Sequence, residues 1–264
     1  EFTNADTYHD DLLRVMNDVS PETIQEVQDL LQDMKDNVYS FETDSGKADM
    51  VSGKVLANYQ WSGDAVYAMD QAEEDDLYLD FAVPKESTNL WFDGWVMLKD
   101  GIDEDARKQQ VAESFVNFLS RPDNAVRNYI GYTSVIAGGE DDNTVFDYLN
   151  WNYGAEDGEE DTTEYPLGYF FSGDNSDPDY IITAPEEQTR RQLYAQYPDE
   201  AAIERSAIMQ YFDADASKRI NQMWINVRCY NIKDVTPQVW TIVVILILAA
   251  AGLIVHYKRS HYHS

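Results

Sequence analysis

Apolar residues along this chain fall into two patterns, stripes at helical spacing and short continuous runs. The clearest stripe follows Ser20-Pro21-Glu22, which reads as an N-cap, a proline in the first helical position and an acid in the first turn. Ile24, Val27, Leu31 and Met34 then recur at helical spacing and predict a helix to about Asp36. Asp103 to Ser120 reads as a second amphipathic helix, with Val111, Phe115, Phe118 and Leu119 on one face. Pro122 opens another, through Val126, Tyr129 and Ile130, which ends at Gly131. Pro185 to Tyr194, Glu200 to Gln210 and Ser217 to Arg228 also read as helical. The continuous runs predict strands at Val38–Phe41, Val55–Tyr59, Leu77–Val83 and Gly94–Leu98, the third stopped by Pro84. A helix is expected over Ala65–Gln71, with Asp64 capping it.

Two stretches break this rhythm. From Gly138 to Asp179 the composition shifts to Asp, Glu, Gly, Asn and Tyr, which predicts an insertion with long loops. Its acidic runs, Glu156–Asp161 and Asp174–Asp179, offer oxygen ligands for calcium but lack the twelve-residue loop with Gly at position six and Glu at twelve. Val239 to Tyr257 carries no charge before His256, and nineteen residues at about 1.5 Å each span roughly 29 Å, near the thickness of a bilayer core. Trp240 and Tyr257 flank it and Lys258-Arg259 follow, so a single transmembrane helix with a cytoplasmic tail is expected.

Charge narrows the function. A formal charge of −30, from 49 acids against 19 bases, argues strongly against nucleic-acid binding and favours the approach of polycations. One cysteine, Cys229, allows no internal disulfide. The chain opens Glu1-Phe2-Thr3 with no initiator Met, signal peptide or lipobox cysteine, and is expected to be the later part of a longer one.

Two motifs carry candidate chemistry, Trp61-Ser62-Gly63-Asp64 and Leu90-Trp91-Phe92-Asp93-Gly94-Trp95. Each sets an indole two or three residues from a carboxylate beside a glycine. An indole face attracts an organic cation and covers its methylenes, while the acid takes its N–H donors. Two such pairs suit a cation charged at both ends. Either motif alone also has an ordinary structural meaning, a core tryptophan or an N-cap.

Trp61-Ser-Gly-Asp64, Val83-Pro84-Lys85-Glu86, Leu90-Trp-Phe-Asp93, Asn117-Phe-Leu-Ser-Arg-Pro122 and Ile130-Gly-Tyr132 occur in this order. That series resembles the C-terminal half of bacterial polyamine-binding proteins, the spermidine/putrescine receptors of ABC importers, from about Pro21 to Arg228. The resemblance implies an α/β, periplasmic-binding-protein type II-like fold, two-lobed with the ligand in the cleft, and here lacking most of the first lobe. Residues 1–92 would belong to the second lobe, 93–140 would cross to the first, and 141–232 would return with the acidic insertion; 238–257 would cross the membrane and 258–264 would form its tail. Carried over by motif, Trp61 and Trp91 would sandwich the methylene chain. Asp64 and Asp93 would take the ammonium groups, and Tyr132 and Gln210 would supply hydrogen bonds. An acid at Asp64, where some members carry Ser, points to the putrescine type. No cofactor is implied; the expected partners are the polyamine, an ABC permease and, through Val239–Tyr257, the lipid bilayer.

Two other readings use the same residues. A pair of acids between tryptophans also describes a glycoside-hydrolase cleft, and tryptophans stack on sugars in carbohydrate-binding surface proteins. A Ser-His-Asp triad is disfavoured because His9 is the only histidine ahead of the apolar segment. The membrane expectation is tested by protease added to intact cells, which should remove the acidic body and spare the tail. Release of the whole chain by a salt wash would refute the span.

Overall fold

A computed structural model describes residues 8–91, 93–102, 105–129, 142–229 and 240–249. The described residues form a mixed α/β structure that divides into two compact units, Glu1–Asp18 with Glu42–Gln210, and Val19–Phe41 with Tyr211–Ser264.

In the first unit the elements are α1 (Tyr8–Met16), α3 (Gly46–Val51), α4 (Ser62–Glu73), β1 (Thr88–Leu90), α5 (Lys99–Ile102), α6 (Ala106–Leu119), α7 (Pro122–Tyr129) and α8 (Thr144–Tyr153). They continue through β2 (Thr162–Pro166), α9 (Gly168–Phe171), β3 (Ile181–Pro185), α10 (Gln192–Gln196), α11 (Glu200–Glu204) and β4 (Ser206–Ile208). The second unit holds α2 (Pro21–Met34) and α12 (Ala214–Arg228).

About half of the first unit's main core, from Val145 to Leu167, lies in the stretch expected to be a loop-rich insertion, and the rest comes chiefly from Ile182 to Tyr197. Val145 and Leu149 of α8, Tyr165 of β2, Ile182 and Ala184 of β3, and Leu193 and Tyr197 form one buried cluster. β2 and β3 pair antiparallel with Tyr165 opposite Ile182, and their burial alternates residue by residue as a half-buried strand requires. The Tyr165 hydroxyl donates to the Tyr197 carbonyl at 2.6 Å and the Tyr153 hydroxyl to Gln196 Oε1 at 2.8 Å, so both buried phenols are satisfied. Burial pushes the pKa of each well above the usual tyrosine range. The acidic runs form turns around this core: Asp174 accepts from Ser176 N and Oγ, and Asp177 accepts from Asp179 N.

A second cluster joins Ala65, Val66 and Met69 of α4 to Ala195 of α10. The small residues on that face of α4 let α10 approach closely. In the second unit α2 and α12 pack together, tied by Asn226 Nδ2 to Gln28 Oε1 at 2.7 Å and Arg219 to the Val19 carbonyl at 3.1 Å. The start of α2 follows the expected chemistry, the Ser20 side chain capping it ahead of Pro21, whereas α12 begins three residues before the expected Ser217, where Asp213 caps it by accepting from Ala216 N at 2.7 Å.

Several expectations give way. Val38–Phe41 and Leu77–Val83 contain no strand; Val55–Tyr59 is irregular and open, with Leu56 98% exposed; Gly94–Leu98 likewise runs exposed without a pairing partner among the described residues. A continuous apolar run does not by itself supply a strand partner; Leu79 and Phe81 still pack against the cluster of Ala65, Val66, Met69 and Ala195, and the Phe81 N–H donates to the Arg190 carbonyl. Glu200–Gln210 is not one helix but α11 followed by β4, and Pro185–Tyr194 is mainly a short 3-10 turn leading into α10. On α6 the stripe of Val111, Phe115 and Phe118 faces solvent, and Phe115 meets the similarly exposed Trp95, ring edge to face with centroids 5.7 Å apart. Residues 240–249 are helical, but no helix among the described residues is long and apolar enough to cross a membrane. Ten residues rise only about 15 Å, and the rest of the expected span lies outside the described residues, so the transmembrane helix over Val239–Tyr257 has no structural support.

The location of the core is testable by unfolding in urea. Leu149→Ala should lose about 2–5 kcal/mol, the range for a fully buried leucine, whereas Phe118→Ala on the exposed face of α6 should change stability by no more than about 0.5 kcal/mol. Comparable losses at the two positions would mean that the α6 stripe is part of the core.

Candidate functional site

The expected binding residues arise at two corners of the first unit, and each corner is built by its local sequence. The first is the start of α4. Trp61 takes the N-cap position with extended backbone and no side-chain cap, so the helix begins at Ser62, and Asp64 lies in its first turn instead of capping it. A carboxylate there is stabilised by the unpaired N–H groups of the helix start. Trp61 is 51% exposed, an indole standing in solvent and not in the core. Asp64 is not vacant: Lys47 Nζ lies 3.0 Å from its Oδ1. That hydrogen bond raises the pKa of the Lys47 ammonium, so the lysine is held charged.

The second corner is the carboxyl end of the parallel pair β1–β4. Thr88 lies opposite Ser206, Asn89 opposite Ala207 and Leu90 opposite Ile208. The chain leaves β1 as Trp91 and leaves β4 as Met209-Gln210, so the register brings Trp91 and Gln210 to one edge. Ligands in α/β folds gather at that end of parallel strands. Asn17, just past α1, fixes the β4 exit: its Nδ2 donates to the Ile208 carbonyl at 3.0 Å and its Oδ1 accepts from Gln210 N at 2.7 Å. Asp93, two residues beyond Trp91, is exposed. Tyr59, just ahead of Trp61, shares a 3.5 Å hydrogen bond with Thr88 Oγ1 and links the approach to α4 with β1.

Of the six expected residues, Trp91 and Gln210 are brought together, Asp93 follows them, and Trp61 and Asp64 form the α4 corner. Tyr132 lies outside the described residues. Sequence reasoning missed Lys47 and Asn17, which carry no motif and become visible only through tertiary contact. An open depression of about 500 Å³ lies elsewhere, against Tyr153, Glu156 and Glu159, and includes none of the six. Among the described residues no group of three or more His, Cys, Asp or Glu side chains is placed to hold a metal ion.

The family model for bacterial extracellular solute-binding proteins matches residues 4–147, just over half of the chain. The chain belongs to that family. It is similar to the putrescine/agmatine-binding protein of Pseudomonas aeruginosa, 28% identical over 120 residues that cover 44% of this chain and 31% of that protein. It is also similar to the putrescine-binding periplasmic protein of Escherichia coli, 30% identical over 97 residues, 36% of this chain and 25% of that protein. The matched part thus spans less than a third of either relative.

The lysine that meets Asp64 is itself held by a turn. Glu42 Oε2 accepts from the backbone N–H groups of Asp44 and Ser45, each at 2.7 Å, at the start of α3. The Ser45 bond chiefly lowers the Glu42 pKa below its ordinary value of 4.5. A depressed folded pKa means that this contribution is complete above the unfolded value and is lost as pH falls through the folded one. Glu42→Gln should therefore lower the urea midpoint at neutral pH, and the gap from wild type should close as the pH drops below about 4. A gap that stays constant with pH would show that the carboxylate charge is not what clasps the turn.

Proposed function

We propose that this chain binds a polyamine, putrescine or spermidine, as part of the solute-binding component of an ABC importer. The observation that carries the reading is the β1–β4 register, which sets Trp91 and Gln210 at one carboxyl edge in a chain whose relatives are putrescine-binding proteins. In this reading Trp61 and Trp91 cover the methylenes, Asp64 and Asp93 pair with ammonium groups, and Tyr132 and Gln210 add hydrogen bonds. Burying an ammonium without a partner costs several kcal/mol, so each buried end needs its own carboxylate. The acidic body favours the encounter with a polycation over any anionic ligand. The permease is the partner that an importer requires. Tethering to a bilayer is supported by the uncharged run from Val239 to Val255 alone.

Both indoles and Asp93 are open to water, where ion pairs are worth about 0–1 kcal/mol and cation–π contacts about 0.5–1. The 264-residue chain should therefore bind putrescine near a millimolar Kd, about −4 kcal/mol. Titration followed by the tryptophan indole N–H signals in NMR spectra reads this directly. Trp91→Ala and Asp93→Asn should each weaken binding by up to about 1 kcal/mol, whereas Glu159→Gln in the acidic turn should not. Equal losses from Asp93 and Glu159 would reduce the effect to diffuse charge, and stronger binding of an oligosaccharide than of putrescine would overturn the ligand class.

A further inference from the structure

Lys47 is not a loose surface lysine that happens to touch an acid. Its side chain is 31% exposed and that of Asp64 24%, so the pair is mostly withdrawn from water. The lysine sits on α3, whose first turn is clasped by Glu42 and which packs on α4. Gly46, directly before it, lies so close to the Asn58 side chain that a Cβ there would collide with the amide. Lack of a side chain at Gly46 thus lets the start of α3 approach the segment leading to Trp61. Backbone packing delivers the ammonium to Asp64 at 3.0 Å.

We propose that Lys47 is a specificity-determining residue of the Trp61 corner, its ammonium an internal competitor that holds Asp64 against the terminal ammonium of a diamine. This rests on the polyamine reading above. One carboxylate cannot pair fully with two ammonium groups, because the two cations repel each other at contact distance. A ligand charged at both ends must displace Lys47 to use Asp64. A ligand with one ammonium meets Asp93 and leaves the Lys47–Asp64 pair intact. Discrimination then comes from an unfavourable contact with the wrong ligand as much as from a favourable one with the right ligand.

The test titrates the whole chain and its Lys47→Met variant with putrescine and with 1-aminobutane, reading the indole N–H signals. Lys47→Met should tighten putrescine about three- to fivefold and 1-aminobutane by less than about twofold, the scale of one partly exposed ion pair gained. Asp64→Asn should then cost more in the Lys47→Met background than in wild type, by that same three- to fivefold factor. Lys47→Gln keeps the stem and removes the charge; it should reproduce the result if the methionine variant folds poorly. Unchanged or weaker putrescine binding in both variants would overturn the role of Lys47 and leave the polyamine reading standing. No response to putrescine in wild type or in either variant would overturn the polyamine reading and the Lys47 role together.

Discussion

Arg191 is the one buried cation among the described residues, and the contact between α4 and α10 depends on it. Only 2% of this residue is exposed, and its guanidinium pairs with Glu73 at the end of α4, lies 3.8 Å from Glu187, and sits 4.9 Å over the Tyr78 ring. Gln192, the next residue, donates to both Asp70 and Glu73 of α4. A guanidinium taken out of water is tolerable only when its acids remain beside it; removing one partner of such a pair typically costs about 3–5 kcal/mol. The contact between α4 and α10 therefore has a polar lock beside its apolar face of Ala65, Val66, Met69 and Ala195.

The route from one candidate corner to the other is fixed by the same chemistry. Between α4 and β1 the chain has no regular structure, yet arginines tie it down at successive points. Arg190 receives the Phe81 N–H at its carbonyl and pairs with Asp80 at 3.2 Å, Arg191 takes Tyr78, and Arg205 donates to the Pro84 carbonyl while its own carbonyl accepts from Ser87. Ser87 is the residue before β1, and Ser206, directly after Arg205, opens β4. A chain with 49 acids and 19 bases has few cations to spend on its surface, and here several are committed to backbone carbonyls and paired acids. The exposed pairs among them contribute little singly. Their effect is to hold the irregular segment in one path.

α2, α4, α6, α7 and α12 were legible in the sequence, whereas α1, α3, α8 and the sheets were not, for physical reasons. α2 announced itself through Ser20, Pro21 and a 3.6-residue stripe, and α12 through Met223 and Val227 at the same period; both signals are local. α6 was legible as a helix, but its direction was not, since periodicity marks an apolar face without saying what covers it. Strands depend on a partner elsewhere in the chain. Leu77–Val83 and Gly94–Leu98 have the composition of strands and no partner among the described residues, whereas Thr162–Pro166 and Ile181–Pro185 pair within a region whose acidity concealed them. The alternation around Tyr165 and the run Ile181-Ile182-Thr183-Ala184 were the available clues. At the site, the aromatic and acidic motifs pointed to Trp61, Asp64, Trp91 and Asp93, but the ion pair on Asp64 is a tertiary fact that spacing could not supply.

The parallel pairing of β1 with β4 sets a limit on how this corner can be handled in pieces. Two parallel strands cannot be joined by a tight turn; the chain must cross over and come back. Here the return journey includes everything from Trp91 to Arg205, and with it the whole α8–β3 core. No short contiguous peptide contains both Trp91 and Gln210. The corner is a discontinuous epitope: a binder raised against it would recognise the folded chain and lose its target on unfolding, and overlapping synthetic fragments would leave it undetected.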